Sequence, residues 1–297
     1  MQYTRVRPRG AKPQRDARVY ADLDELVRLQ FKAQGFSFLP RQPLHSVLHG
    51  RHASRLRGRG LNFEELRGYV SGDDIRNVDW KATARSGEPH VRVYTEERDR
   101  PVLLLIDPRH NMFFGTRRAM KSVVAAEAAA LAAWRVHAQG DRVGAIVFND
   151  QEIIEIKPQR SRNQVVRILE AVTRLNHRLS AGAALEPNPA MYNEALNRAL
   201  RQATHDYLIA SISDGFGVDD ETLRLGTRIA AHNDVIVLFI YDALEAELPA
   251  AGRLVFGQAG RQLEVDSGAA SLRQEFARRF QQRFDAIEHF CRQRSVP

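Results

Sequence analysis

The sequence contains one cysteine, Cys291, and no apolar run of the roughly 18 residues that a membrane-spanning helix needs. A single cysteine excludes an internal disulfide framework and is typical of a protein from a reducing compartment. The first 15 residues are polar and basic and lack the apolar segment of a secretory signal peptide. These absences predict a cytoplasmic protein with no membrane span.

Several sequence signatures of enzymes are also missing. The chain has no Gly-x-x-x-x-Gly-Lys-Ser/Thr loop for nucleotide phosphates, and Gly58 and Gly60 do not complete a Gly-x-Gly-x-x-Gly fingerprint. No serine lies in a Gly-x-Ser-x-Gly elbow, and Cys291 falls within a predicted amphipathic helix. The residues therefore predict that the chain does not hydrolyse ATP by itself, and they offer no candidate nucleophile.

The positive charge is unevenly distributed. Residues 1–67 contain 14 Lys and Arg against 6 Asp and Glu, whereas the rest of the chain has 30 of each. A basic segment of this kind suits nucleic acid, an anionic membrane surface or an acidic protein. The arginines are not interleaved with aromatic residues, which single-stranded nucleic acids use as stacking platforms. A solvated arm is thus the favoured interpretation, with nucleic-acid binding kept as an alternative.

Three histidines within this basic segment, His45, His49 and His52, are at helical spacing. Histidines four residues apart can share a zinc ion. Gly50 interrupts the spacing, and no cysteine or acidic residue lies beside them to complete the ligand set. The pattern therefore disfavours a zinc site.

The centre of the chain is the segment 102–111, in which five apolar residues run into Asp107. A Val/Leu/Ile run of this kind is typical of a central parallel strand that is covered on both faces. A second apolar run, residues 207–212, ends in Ser213 and Asp214. Ligands of open parallel sheets bind at the carboxyl ends of the strands, so Asp107 and Asp214 are candidate site residues.

The remaining pattern alternates strands and helices between residues 102 and 240, and Asn149-Asp150 turns one strand back as a hairpin. It predicts an α/β fold with a doubly wound, mostly parallel sheet and one antiparallel edge strand. Ser161 with Gln164 predicts a capping box. Asp22 is predicted to cap a helix whose buried face includes Phe31. A long C-terminal helix has an aromatic stripe, predicted to pack on its own domain.

Within the segment 57–101, three aspartates, Asp73, Asp74 and Asp79, lie close together in sequence, with Arg76 and Arg85 nearby. Such a cluster suits either a metal or general acid/base group, or a set of helix caps and salt bridges that tie a turn to a strand. The second interpretation is favoured, because spacing alone does not define the open geometry of a hydrolytic metal site.

The segment 67–107 contains the residues Tyr69, Gly72, Asp73, Arg76, Asp79, Trp80, Ala84, Arg85 and Glu96. Through them the chain resembles, over roughly residues 45–290, a family called domain of unknown function 58, whose members are von Willebrand factor A-like proteins associated with MoxR-type AAA+ ATPases. The resemblance implies a von Willebrand factor A-like domain over residues 101–245 and a family-specific β-containing subdomain at 41–100. The residue pattern predicts a basic arm and helix at 1–40 and a hairpin with an amphipathic helix at 246–297.

Von Willebrand A domains characteristically bind Mg²⁺ through an Asp-x-Ser-x-Ser turn, a threonine and a further aspartate, a metal-ion-dependent adhesion site. Asp107 matches the aspartate of the turn, and Asp214 matches the further aspartate. At the two serine positions of the turn, Arg109 replaces the first serine and Asn111 replaces the second. The segment 185–193 offers no threonine. Because Arg109 would repel a cation, we expect a degenerate site in which Arg109 pairs with Asp107 or Asp214.

The resemblance implies a non-enzymatic interaction module, an adaptor that works with a MoxR-type AAA+ ATPase in the assembly or maturation of an unknown client protein. An alternative from the residues alone is a metal-dependent hydrolase or nuclease that uses Asp73, Asp74, Asp79, Asp107 and Asp214. The other alternative is nucleic-acid binding through the basic segment.

Overall fold

A computed structural model describes residues 16–35, 61–96, 101–182, 186–258, 261–294 and 296–297. The three histidines of the disfavoured zinc pattern and residues 1–15 of the basic arm lie outside these residues. By its internal contacts the chain divides into a small unit, residues 45–99, and a large unit, residues 1–44 with 100–297. No helix in the described part of the chain is long and apolar enough to cross a membrane.

The helices and strands are named in chain order, apart from short 3₁₀ turns. The helices are α1 (Leu23–Arg28), α2 (Trp80–Ser86), α3 (Lys121–Ala138), α4 (Arg162–Asn176), α5 (Ala190–Gln202), α6 (Asp220–Ala230), α7 (Ala243–Ala246) and α8 (Ala270–Gln293). The strands are β1 (Leu61–Gly68), β2 (His90–Glu96), β3 (Val102–Ile106), β4 (Val143–Phe148), β5 (Ile153–Gln159), β6 (Leu208–Ser213), β7 (Asp234–Phe239), β8 (Arg253–Gln258) and β9 (Arg261–Asp266).

The large unit is built on a five-stranded sheet in the order β5-β4-β3-β6-β7. Strand β3 runs parallel to both of its neighbours, β7 is parallel to β6, and β5 is antiparallel to β4 at one edge. The predicted α/β fold with a mostly parallel sheet and an antiparallel edge strand is therefore confirmed. Strand β3 is fully buried because its five apolar side chains alternate between two covered faces.

Helices cover both faces of this sheet. Leu104 and Ile106 pack into one apolar cluster with α3 and α4, and the alanine-rich sequence of α3 allows close packing. Leu103 and Leu105 pack into a second cluster with α5 and α6. The chain leaves β3 towards β4 on one side and returns as β6 on the other, so the order of the strands reverses between β3 and β6. This reversal is where parallel sheets form ligand crevices.

Some of the predicted helix ends agree with the structure and others do not. Asp22 caps α1 as predicted, and Asp219 caps α6. The predicted capping box at α4 is only half formed, because Ser161 accepts from the Gln164 amide while the Gln164 side chain donates to the Lys157 carbonyl. The prediction for Phe31 was wrong: α1 ends at Arg28 and continues as 3₁₀ turns, which leave Phe31 75% exposed.

The C-terminal segment packs against the large unit, to which it belongs. Strands β8 and β9 form an antiparallel hairpin. Phe280 and Phe284 of α8 contact the ring of Phe239 at the end of β7. Ile287 of the same helix lies against Gly215, just after β6. The aromatic stripe of α8 thus contacts its own domain, as the sequence predicted.

The small unit consists of the antiparallel pair β1 and β2, with α2 between them in sequence. Neither β1 nor α2 was predicted from the sequence. Helix α2 has seven residues and no fully buried side chain, so it has no apolar periodicity to recognise. It begins at an Asp79 cap and ends at Gly87, whose φ of 80° is the left-handed conformation that favours glycine.

Candidate functional site

Asp107 and Arg109 form an ion pair at the carboxyl end of β3. The Arg109 Nε and one terminal nitrogen donate to the two carboxylate oxygens of Asp107 at 2.8 and 2.7 Å, and both side chains are fully buried. The Ser213 hydroxyl also donates to Asp107, at 2.6 Å. The guanidinium carbon of Arg109 lies 5.6 and 5.5 Å from the ring centres of Phe148 and Tyr192. These contacts hold the pair rigidly beneath the rim of the sheet.

A second charged group lies at the end of the neighbouring strand β6. The Lys121 ammonium donates to Asp214 at 2.6 Å and to Glu245 at 2.7 Å. Its side chain is 3% exposed, and that of Asp214 is 1% exposed. The other Asp214 oxygen accepts from the Asn111 side chain at 2.7 Å and from the Phe216 amide at 2.9 Å. Three donors, from the start of α3, the loop after β3 and the loop after β6, therefore converge on the Asp214 carboxylate.

Short capping motifs position these groups. Asp242 and Glu245 form a capping box at α7, which holds the Glu245 carboxylate near Lys121. Asp242 also accepts from the amide and hydroxyl of Thr116, and this fixes the loop before α3. On the other side of the rim, Asp150 accepts from the amides of His110 and Asn188. The loops at this end of the sheet are consequently tied to one another.

The surroundings of Asp214 and Arg109 favour the charged form of each side chain. Burial disfavours the charged form of Asp214, but the charge of Lys121 and the hydrogen bonds from Lys121, Asn111 and Phe216 outweigh that penalty and hold the pKa of Asp214 below its ordinary value. Burial likewise disfavours the charge of Arg109, yet the adjacent Asp107 carboxylate raises the pKa of Arg109 above its ordinary value. Neither group is poised to exchange a proton near neutral pH.

The residues at the rim do not fit a divalent cation. Magnesium requires about six oxygen ligands in an octahedron. Both oxygens of Asp107 and both of Asp214 already accept hydrogen bonds from protein donors. The Asn111 side chain presents its NH₂ group to Asp214, and its carbonyl oxygen is buried with no hydrogen-bond partner. The acids that would bind Mg²⁺ are instead paired with side-chain cations: Asp107 with Arg109, and Asp214 with Lys121.

A groove opens above these charges, at the rim of the sheet. It has a volume of about 460 Å³ and lies between the loop after β3, the β8–β9 hairpin and α8. Asn111, Asp214 and Glu245 line it, and Arg279 and Arg283 lie along α8. Its apolar lining consists of half-buried phenylalanines, namely Phe113, Phe114, Phe216, Phe256, Phe276 and Phe280. A concave, aromatic surface with a few fixed charges suits the binding of another molecule.

The carboxylates of the small unit serve as caps and ion-pair partners. Asp73 accepts two hydrogen bonds from Arg67 at 2.8 Å each. Asp74 caps a 3₁₀ turn, and Asp79 caps α2 while pairing with Arg92 of β2. These contacts tie the turn to the strands, which is the use that the sequence favoured. Among the residues that the structure describes, no group of three His, Cys, Asp or Glu side chains is arranged to hold a metal.

Other residues of the family pattern are exposed in the small unit. Trp80 is 68% exposed and Tyr69 is 37% exposed, whereas Gly72 has a φ of 109° in the turn before Asp73. Arg76 and Arg85 also face solvent. These residues of the family pattern are therefore surface residues of the small unit.

Sequence reasoning missed Lys121 and Glu245. One signal was available for Lys121, which is the first residue of an otherwise apolar, alanine-rich helix. A cation at a helix N-terminus is disfavoured by the helix dipole, so its presence there indicates a compensating anion nearby. Glu245 gave no comparable signal, because a glutamate in a loop-like stretch is usually solvated.

Comparison with known proteins identifies relatives of unknown function. The family described as protein of unknown function DUF58 matches residues 65–285. An uncharacterized protein of Mycobacterium bovis is 30% identical over 242 residues, which are 80% of this chain and 73% of that protein. An uncharacterized protein of Mycobacterium tuberculosis matches with the same figures. The crystal structure of the conserved hypothetical protein BatB from Bacteroides thetaiotaomicron is 18% identical with a TM-score of 0.40, covering 66% of this chain and 98% of that one.

Proposed function

Because the chain belongs to the family of proteins of unknown function DUF58, we propose that it is a non-enzymatic interaction module with a von Willebrand factor A-like large unit. In this proposal it is an adaptor that works with a MoxR-type AAA+ ATPase in the assembly or maturation of a client protein. It acts in the cytoplasm, and the rim groove of the large unit is the surface that receives the partner.

The observation that carries the proposal is an aromatic groove that lies above aspartates already held in ion pairs. Asp107 and Asp214 are neutralised by Arg109 and Lys121 within hydrogen-bond distance. Acids held in this way offer no free base or metal ligand for a reaction. The half-buried phenylalanines, in contrast, present apolar area to a partner, and such aromatic area dominates the energy of protein interfaces.

Exposed apolar residues of the small unit support an interaction role as well. Apolar side chains that are exposed close together in the sequence are available to contact a partner. Five large apolar side chains within one short stretch are more than 35% exposed. They are Leu66, Tyr69, Val70, Ile75 and Trp80.

The test is a pull-down from native lysate with the full chain, followed by mass spectrometry. Wild type is compared with Arg283→Glu, which changes a groove residue of α8, and with Arg278→Glu as a matched control. Arg278 is on the same helix, pairs with Glu275 and does not line the groove. We expect an AAA+ ATPase to be recovered with wild type and the control and to be lost with Arg283→Glu.

Equal recovery of the ATPase from all three proteins would contradict the groove as its docking surface. Recovery of no ATPase would contradict the adaptor role itself. Recovery of nucleic acid alone would favour the alternative in which the basic segment binds nucleic acid, and that binding should then weaken steeply with salt.

A further inference from the structure

We infer that Lys121 takes the place of a divalent cation at the rim, so that an ammonium group bridges Asp214 and Glu245 without metal. The inference concerns the charge of the rim and holds whether or not an ATPase docks there. Its consequence is that any binding at the groove is insensitive to Mg²⁺ and to chelators.

The first step of the argument is the position of the ammonium nitrogen. It lies 2.6 Å from an oxygen of Asp214 and 2.7 Å from an oxygen of Glu245, and so bridges two carboxylates that come from different loops. A bridging cation between two carboxylates is the arrangement that a metal ion adopts with hard oxygen ligands. Lys121 supplies that bridge from the first residue of α3.

The second step is the cost of placing a lysine there. The helix dipole opposes a cation at the N-terminus of α3, and a side chain that is 3% exposed has lost nearly all of its hydration. Both penalties are offset only if the two carboxylates stay in contact with the ammonium group. Lys121 and the acids therefore form one unit, and a metal ion could enter only by displacing the lysine.

The third step is the count of free ligands. With Lys121 in place, the second Glu245 oxygen accepts from the Asp242 amide, and the second Asp214 oxygen accepts from Asn111. The Asn111 carbonyl oxygen is also buried without a hydrogen-bond partner. Removing the lysine side chain would free one oxygen of Asp214 and one of Glu245, which both contact its ammonium nitrogen. The same carboxylates would then present the beginnings of a cation site.

The experiment measures Mn²⁺ binding by calorimetry, and by the loss of the free-ion signal in electron paramagnetic resonance, for wild type and Lys121→Ala. Lys157→Ala is the control, because Lys157 is exposed on β5. We expect no Mn²⁺ binding by wild type or the control. Lys121→Ala should gain at least a tenfold higher affinity for Mn²⁺ than wild type and a higher melting temperature with Mn²⁺ than without. The double variant Lys121→Ala/Asp214→Asn should lose both gains.

Two results would overturn the inference. One is micromolar Mn²⁺ binding by wild type that disappears in Asp214→Asn. The other is a Lys121→Ala protein that folds but binds Mn²⁺ no better than wild type. If Lys121→Ala does not fold without metal, Lys121→Ser, whose hydroxyl can ligate a cation, is refolded with and without Mn²⁺. Recovery of folded protein only with Mn²⁺ supports the inference, and equal yields contradict it.

Discussion

At the scale of single residues, the buried pair of Asp107 and Arg109 determines how the end of β3 is built. Two hydrogen bonds join the side chains, and Arg109 also donates to the Phe216 carbonyl at 3.0 Å. Both residues are fully buried, so neither charge is stabilised by water. A pair of this kind need not stabilise the fold relative to apolar residues, but losing one partner leaves a buried charge uncompensated.

Arg109→Ala should therefore lower the free energy of unfolding by about 3–5 kcal/mol. The double variant Asp107→Ala/Arg109→Ala should lose less than the sum of the two single variants, because it removes both charges together. Urea denaturation of the four proteins in this cycle provides the measurement. Additive losses would show that the two side chains do not interact in solution.

Asp214 gives stability a predictable dependence on pH. Its pKa is lowered in the folded protein, chiefly by Lys121 against the opposing effect of burial. In the unfolded chain the pKa of an aspartate is near 3.9. Because the pKa of Asp214 is lower than this in the folded protein, its charged form stabilises the fold fully above about pH 3.9. This stabilisation is lost as the pH falls towards the pKa of Asp214 in the folded protein. Between these values the unfolded chain binds more protons, so stability rises with pH.

We expect the free energy of unfolding of wild type to fall more steeply below about pH 4 than that of Asp214→Asn. Denaturant titrations from pH 7 to about pH 3 would measure both profiles. The difference in the free energy of unfolding between wild type and Asp214→Asn should be constant above about pH 5 and should shrink below about pH 4. Profiles that stay parallel throughout would mean that Asp214 is not held in its charged form by the fold.

At the scale of secondary structure elements, the contact between α8 and the loop after β6 joins the C-terminal helix to the sheet. Gly215 has a φ of 65°, and a Cβ atom built there would clash with the Cδ1 atom of Ile287. The backbone conformation favours glycine, and the approach of α8 leaves a larger residue room only if the Ile287 side chain shifts. It directly follows Asp214, so α8 packs beside the charged group at the rim.

Gly215→Ala should destabilise the protein by more than Gly140→Ala. Gly140 has a similar φ of 81° but nothing within 4 Å of the added Cβ, so it reports the conformational strain of about 1–2 kcal/mol alone. The excess cost at Gly215 should shrink when Ile287→Val removes the clashing Cδ1 atom, while the close approach of the Phe239 ring remains. Thermal denaturation of these variants checks the prediction, and equal losses at the two glycines would contradict the packing of α8.

At the scale of the whole molecule, each unit has its own set of stabilising contacts. The large unit contains the fully buried strands β3, β4 and β6. The small unit contains a two-stranded sheet whose turn is held by the ion pair between Arg67 and Asp73. A two-stranded sheet has little independent stability in water, so the two units should differ in local stability.

Native-state hydrogen exchange should show this difference. The amides of β3, β4 and β6 should exchange most slowly, and those of β1 and β2 much faster. Arg67→Ala should accelerate exchange in the small unit while leaving β3 unchanged, and Arg109→Ala should do the reverse. If either variant accelerated exchange equally in both units, the chain would unfold as one cooperative body instead.

The sequence by itself determined the large sheet and its charged ends. Uninterrupted apolar runs specified β3 and β6, because no polar side chain is tolerated on a strand that is covered on both faces. The replacement of a serine by Arg109 at the rim was also visible in the sequence, and so was the aromatic stripe of α8. Helix α2 was not, because a short exposed helix is set by its Asp79 cap and carries no periodic signal.

Only the tertiary structure decided which charges meet and where the groove forms. Lys121 is 93 residues from Asp214 and 124 residues from Glu245 along the chain. Hydrophobic periodicity reports the face that a residue occupies in its own element, but it carries no information about partners in distant loops. Those partners are brought together by the strand order of the sheet and by the docking of α7 and α8 on its rim.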